Sequence, residues 1–261
     1  MHERLTPASP ASLAGVSDEK APLLVCFSHL RWDFVWQRPQ HLLSRAAKQY
    51  RVLVIEEPMY EDGIAPSMDI SRRPGPVTIA VPKLPKSLSE AEAILAQRTL
   101  VEKLIGREGR GPRVFWYYTP MAMAFSSRLE CDLCVYDNMD ELSAFNGASP
   151  ELLELETDLF SRADLVFTGG MSLYEAKRSR HHNVHGFPSS IEFEHFVQAR
   201  RFRGPEPQDQ AGIPHPRLGF FGVVDERMDV DLVGRVAALR RSCLILRALF
   251  SRAATSCSRA E

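Results

Sequence analysis

LLVCFSHLRWDFVWQRPQHLLSRAAKQYRVLVIEE, residues 23–57, is the stretch on which the fold turns. It opens with a short apolar run at 23–27, passes through a cluster of charged and aromatic residues, and continues as a helical pattern over 39–48. A second apolar run at 51–55 ends in Glu56 and Glu57. Two short apolar runs joined by an amphipathic segment describe parallel strands, buried on both faces, with a crossover helix between them. The same rhythm extends outward. Residues 77–81 read as a third strand, and 87–108 as a long helix opening with S-x-x-E capping signals at Ser87/Glu90 and Ser89/Glu92. Further β-rich runs lie at 114–117, 133–136, 165–168 and 184–187, and helices at 150–162 and 172–180 separate the last three. Ser149 stands at the N-cap of the first of these helices and Pro150 at its first position. The expected class is therefore α/β, a Rossmann-like doubly wound parallel sheet covered on both faces.

Five segments follow from composition. Residues 1–20, rich in Ser, Pro and Ala, read as a disordered tail, and 21–196 as one α/β domain. Residues 197–216, VQARRFRGPEPQDQAGIPHP, read as a linker. At 217–239 the rhythm restarts, with a strand at 218–224, a DERMD turn and a helix at 230–239, and so gives an incomplete second α/β unit. Residues 240–261 carry +4, whereas everything before them carries −5, so the net charge of −1 is a sum of unlike parts. That last stretch, rich in Arg, Ser, Ala and Cys, reads as a disordered tail foreign to the fold.

The whole chain has 261 residues, 44% hydrophobic and 25% charged, which excludes an intrinsically disordered protein. With 32 basic and 33 acidic side chains, a bulk basic face for nucleic acid is excluded as well. No run approaches the ~18 apolar residues of a membrane span and no signal-peptide core opens the chain, so a cytoplasmic location is expected. Cys26, Cys131 and Cys134 lie in strand-like runs and read as reduced, packed thiols. The C-x-x-C formed by the latter two does not open a helix, which weighs against redox or metal chemistry there. His181, His182 and His185 straddle a helix end and a strand rather than sharing one helix face, so surface histidines at a helix C-terminus are the expected reading.

In doubly wound sheets ligands sit beyond the carboxyl ends of the strands, and the residues there are polar. Densest is SHLRWDFVWQRPQ, 28–40, which sets His29, Arg31, Asp33 and Arg38 among Trp32, Phe34 and Trp36. Rings could stack on a sugar or base while the charges hold hydroxyls or phosphates; equally, the aromatics could pack under the sheet with the charges in water. YDNMDE, 136–141, places Asp137, Asp140 and Glu141 on one turn, where carboxylates raise one another's pKa and can orient a hydroxyl, or else cap a helix. TGGMS, 168–172, offers two glycines at a strand-to-helix junction, suited to an anion or to a tight turn alone. No G-x-G-x-x-G follows the first strand, which argues against a dinucleotide-dependent oxidoreductase or epimerase.

Taken in order, SHLRWDFVWQRPQHLLSRAAKQYRVLVIEEP, WYYTP, YDNMDELSAF, ADLVFTGGMSLYEAKR, NVHGFPSSIEFEHF and GFFGVVDERMD resemble bacterial GT-B glycosyltransferases of the retaining group-1 (GT4-like) kind, over residues 23–239. Ser189, Ser190, Ile191 and Glu192 replace the wider family's N-G-V-D letters. The resemblance implies two Rossmann-like domains, this chain supplying the acceptor-side half and the opening of the donor half. It implies transfer of a sugar from a nucleotide-sugar co-substrate to a hydroxyl of a glycan or lipid-linked acceptor, in cell-surface or exopolysaccharide synthesis, with no catalytic metal and no other cofactor. A weak peripheral membrane association is compatible with this; nucleic acid is not an expected partner. The implied acceptor residues are Ser28, His29, Arg31, Trp32, Asp33, Arg38, Tyr118, Glu141 and Gly170. Asp137 or Asp140 would orient the acceptor hydroxyl, although a retaining front-face mechanism can run without a dedicated base. Gly222 would open the donor side, and Arg227 would take the place of the family's phosphate-binding basic residue. Because the resemblance stops at residue 239, the expectation is a truncated or frame-shifted product impaired in turnover. The other reading left open is a non-catalytic domain that binds a glycan or a partner.

Overall fold

A computed structural model describes residues 21–73, 75, 77–109, 111–145, 148–206, 208, 210–213, 217–222, 228–239 and 244–248. The expected tail at 1–20 and Arg227 lie outside the described residues, as does most of 240–261. The chain divides into two units, the first ending at Ile191 and the second beginning at Glu192.

In the first unit β1 (Leu23–Ser28), β2 (Arg51–Glu56), β5 (Val77–Pro85), β6 (Arg113–Tyr117), β7 (Leu133–Asn138), β8 (Leu165–Thr168) and β9 (Val184–Gly186) form a parallel sheet. With β3 (Met59–Glu61), the strand order is β3-β5-β2-β1-β6-β7-β8-β9. β4 (Ser67–Arg73) adds antiparallel to β5, the one antiparallel pairing in this sheet among the described residues. Successive strands step outward from β1 in one direction to β2 and β5, then in the other to β6, β7, β8 and β9. The order therefore reverses between β1 and β6, which is where open α/β sheets hold their ligands.

Strand formation here follows burial. All six residues of β1 are buried, and Val25 and Cys26 have no exposed surface. Each fully buried aliphatic side chain contributes ~1.5–3 kcal/mol, far beyond any intrinsic β preference. One face of the sheet packs Leu23, Val25, Phe27, Phe115, Tyr117 and Tyr136 against the helices α2 (Glu90–Arg107), α3 (Met123–Ser126) and α4 (Leu152–Arg162). The opposite face sets Leu24, Cys26, Val52 and Val54 against Leu43 of α1 (Arg38–Ala46) and against Trp32. α5 (Met171–Lys177) joins β8 to β9. α2 opens on the capping box Ser89/Glu92, the second of the two expected signals. For α4 the expected Ser149 cap is replaced by a turn: Ser149 Oγ accepts from Glu151 N at 3.3 Å, and the helix begins at Leu152.

In the second unit α6 (Phe193–Arg201) occupies the first positions of the stretch read as a linker. β10 (Leu218–Gly222), α7 (Val230–Leu239) and β11 (Leu244–Ala248) then make a β-α-β unit, with β10 and β11 parallel. Asp229 caps α7 by accepting from Leu232 N at 2.8 Å. Residues 244–248 thus form a strand inside the stretch read as foreign to the fold; the crossover through α7 brings their apolar LILRA run beside β10.

Candidate functional site

The carboxyl ends of β1, β2, β6 and β7 bring most of the expected residues together, but in roles that spacing alone does not show. Asp137, at the end of β7, has no exposed surface. Its two carboxylate oxygens accept from Arg38 Nε at 3.1 and 3.0 Å, and Arg38 Nη2 lies 2.9 Å away. Arg38 is the first residue of α1, its side chain 9% exposed, and its Nη1 donates to the Phe187 carbonyl at 2.6 Å. A cation at a helix N-terminus meets the positive end of the macrodipole, so the Asp137 charge is what makes this placement tolerable. Asp137 thus fixes Arg38 in place, and through it the chain leaving β9.

The other charges of the first loop are also engaged within the fold. Glu56, buried at the end of β2, accepts from Trp32 N at 2.7 Å and from Arg31 Nη1 at 3.0 Å. Arg31 further donates to the Glu57 carbonyl at 2.6 Å. Asp33 pairs with Arg73 of β4, whose Nε lies 2.9 Å from Oδ1, and this hydrogen bond holds the Asp33 carboxyl below its usual range. Ser28 Oγ closes a local turn, accepting from Leu30 N at 3.0 Å. Trp32 is a core residue, 7% exposed against Leu43 and Val54, so it offers no stacking face. The open rings of the loop are instead Phe34 and Trp36, each more than half exposed. Glu56 was visible in sequence as a charge ending an apolar run, but its service to the loop backbone was not.

YDNMDE does not act as a cluster of carboxylates. Asp137 faces Arg38, Glu141 lies 2.9 Å from Lys177 Nζ, and only Asp140 keeps toward His29. In TGGMS it is Gly169 that the packing requires. A Cβ there would meet the Met139 carbonyl oxygen at 2.8 Å and Met139 Cα at 2.9 Å, whereas one on Gly170 meets nothing within 4 Å. Gly169→Ala should therefore push the β7 and β8 exits apart at a cost of ~1–3 kcal/mol. Gly170→Ala should stay within about 1 kcal/mol, since it only exchanges the N-cap residue of α5. Urea midpoints of the two variants check this, and equal shifts would refute it.

What remains unpaired is informative. His29 Nδ1, Trp116 Nε1, the Tyr118 hydroxyl and Asn138 Oδ1 are buried without a hydrogen-bond partner of ordinary geometry, and all four belong to β1, β6, β7 or their carboxyl ends. The first three flank the switch point of the sheet. Burial lowers the His29 pKa, against opposing pulls from Asp140 and the Tyr118 backbone, so the ring is neutral near pH 7 with a free acceptor or donor site. Burial, reinforced by neighbouring Asp137, raises Tyr118 well above its ordinary value and keeps its proton in place. Unsatisfied buried groups cost ~1–3 kcal/mol each in a protein that gains nothing from them. His181 and His185 are locally engaged, with Ala163 O at 2.9 Å and Asn183 Oδ1 at 2.8 Å, and among the described residues no group of His, Cys, Asp and Glu is arranged for a metal. Gly222 is the last residue of β10.

The sheet order and the covering helices define a Rossmann-like α/β fold that matches the N-terminal half of GT-B structures. No family model matches the chain, and no curated protein matches it in sequence. Among solved structures it is similar to an α,α-trehalose-phosphate synthase (UDP-forming) from Burkholderia xenovorans in complex with glucose-6-phosphate. The TM-score is 0.60 at 14% identity, over 88% of this chain and 66% of that one. It is similar also to an E. coli structure described as trehalose-6-phosphate bound with UDP-2-fluoro glucose, with TM-score 0.57, 14% identity, and 88% and 65% of the two chains covered. The chain spans about two thirds of the length of these relatives.

Proposed function

We propose that this chain serves glycosyl transfer from a nucleotide-sugar to an acceptor hydroxyl, with the first unit as the acceptor side. The observation that carries this reading is the set of unpaired, buried polar atoms, His29 Nδ1 and the Tyr118 hydroxyl, at the switch point of a sheet held rigid by the Arg38–Asp137 and Arg31–Glu56 pairs. The ligands in two structural neighbours, a UDP-sugar and a sugar phosphate, supply the substrate classes. On this reading the acceptor lies over His29, Tyr118 and Gly170, with the exposed rings of Phe34 and Trp36 beside it. Asp140, through His29, is the carboxylate that orients the hydroxyl; Asp137, Arg31, Asp33, Arg38 and Ser28 shape the pocket. Glu141, tied to Lys177, holds the β7 exit. Gly222 and Arg227 stand on the donor side. Transfer proceeds without a resident metal, and the leaving diphosphate is met by basic side chains and backbone amides. The motif run that resembles group-1 enzymes supports a cytoplasmic role in cell-surface or exopolysaccharide synthesis.

The test pairs a panel of nucleotide-sugars with a panel of sugar phosphates and glycans, reading nucleoside diphosphate release and calorimetric binding. Tyr118→Phe removes a hydroxyl that lies against Asp137 without a hydrogen bond of ordinary geometry. It should leave stability within ~0.5 kcal/mol and weaken acceptor binding ~5–10-fold, the worth of one lost hydrogen bond. If no donor releases diphosphate and no acceptor binds, the proposal falls. If Tyr118→Phe loses stability while binding is unchanged, the hydroxyl belongs to the fold instead.

A further inference from the structure

At the opposite, amino-terminal edge of the sheet lies a group of side chains that the acceptor site does not use. Cys134 is the second residue of β7 and is buried, while Cys131 precedes the strand and is only half-buried. Both line the same groove, near enough for each thiol to act on the ionisation of the other. Arg162, from the last turn of α4, brings Nη2 to 3.7 Å from Cys131 Sγ. That guanidinium is fixed in place: Nη1 donates to the Ser126 carbonyl at 2.9 Å, Nη2 to the Leu129 carbonyl, and the group lies 5.6 Å over the Phe115 ring. Both cysteines line an open groove of about 1020 Å³. The C-x-x-C spacing thus yields a facing pair without a helix, because the chain bends at Asp132 before entering β7.

We propose that Cys131 and Cys134 are a redox-active dithiol that exchanges with low-molecular-weight disulfides entering this groove. Cys131 is the nucleophile. Its thiolate attacks one sulfur of the small disulfide, forming a mixed disulfide and expelling one thiolate. Cys134 then gives up its proton to solvent and attacks Cys131 Sγ, closing the internal disulfide and expelling the second thiolate. Two protein thiols are oxidised and one small disulfide is reduced to two thiols.

The electrostatics suit this division of labour. Cys131 is lowered to about 6, first by the hydrogen bond from Cys134 and then by Arg162, against burial and the Asp164 carboxylate. Cys134 is raised by the same hydrogen bond and by its burial. Tyr117 of β6 also faces the pair, and Arg113, Asp132 and Asp158 line the groove. A low-pKa, partly exposed attacking thiol beside a protonated resolving thiol is the arrangement that thiol–disulfide exchange needs. Cys26 supplies a contrast within the same chain, since it is fully buried and its thiol is pushed up.

Both sulfurs fall in one tryptic peptide, 129–162, which has no internal Lys or Arg. The full chain is treated with oxidised glutathione at pH 7, quenched with acid and mapped by mass spectrometry. The expected result is loss of two hydrogens from that peptide, reversed by dithiothreitol, with a glutathione adduct retained at Cys131 in Cys134→Ala and no reaction of the peptide in Cys131→Ser. Iodoacetamide alkylation of Cys131 should be half-maximal near pH 6, against ~8.5 for an ordinary thiol. A peptide that stays reduced, or that carries glutathione without closing a disulfide, overturns the proposal, as does an alkylation midpoint at the ordinary value.

Discussion

Asp137→Ala is expected to cost about 3–5 kcal/mol of folding stability, the usual consequence of stripping one partner from a buried ion pair. The carboxylate is fully enclosed and the guanidinium nearly so, with two hydrogen bonds joining them at 3.1 and 3.0 Å. Removing Asp137 leaves a desolvated cation at the N-terminus of α1, where the helix dipole already disfavours positive charge. It also frees a side chain that pins the Phe187 carbonyl after β9. Asp137→Asn should cost less, because the amide oxygen can still accept from Nε. The double variant Arg38→Met/Asp137→Leu should cost much less than the two single changes summed, because no unpaired charge remains. Chemical denaturation of the four proteins measures the coupling. A loss below about 1 kcal/mol for Asp137→Ala would show that the pair does not hold these elements together.

How far the sequence reveals the molecule depends on what each element answers to. β1, β2, β6, β7 and β8 were legible because burial on both faces leaves continuous apolar runs, and α2 because its cap is local chemistry. β3 and β4 were not. They are edge strands, and SMDISRR mixes exposed with half-buried positions and so carries no core pattern. Their pairing with β5 is a tertiary event. α6 escaped for the same reason, having no buried residue among the nine. The location of the candidate site could be read, since strand ends are fixed by strand order. The partners could not: Arg38 and Asp137 are 99 residues apart, and Arg73 and Asp33 are 40 apart. Nor does local sequence tell Trp32, which turns inward, from Trp36, which turns outward. One missed group did leave a signal. Glu156 falls on the buried stripe of α4 made by Leu152, Leu159 and Phe160, and a charge on such a stripe demands a buried counter-charge.

That counter-charge is Lys177, and the second large effect is expected there. Lys177 Nζ donates to the two Glu156 oxygens at 2.9 and 3.1 Å and lies 2.9 Å from Glu141, while Arg180 also pairs with Glu156 and covers the Phe160 ring at 4.3 Å. Tyr136 donates to Glu156 at 3.1 Å and accepts from Asn138 at 2.8 Å, which links the pair to the floor of the YDNMDE turn. Glu156→Ala strands an ammonium that is 6% exposed, with only the half-exposed Glu141 left to meet it, and should cost about 3 kcal/mol or more. Burial pushes the Glu156 carboxyl up, but the hydrogen bonds from Lys177 and Arg180 outweigh it and hold the group below its ordinary value. A carboxyl lowered in the folded state contributes stability that is complete above its unfolded value, ~4.3, and is lost as pH falls through the lowered folded value. Wild-type stability should therefore decline as the pH drops below about 5, and Glu156→Gln, which keeps the acceptor for Tyr136 but cannot titrate, should flatten that decline. Unfolding midpoints between neutral and acid pH measure both slopes. Parallel slopes in the two proteins would remove Glu156 from the acid response and leave the network a matter of packing alone.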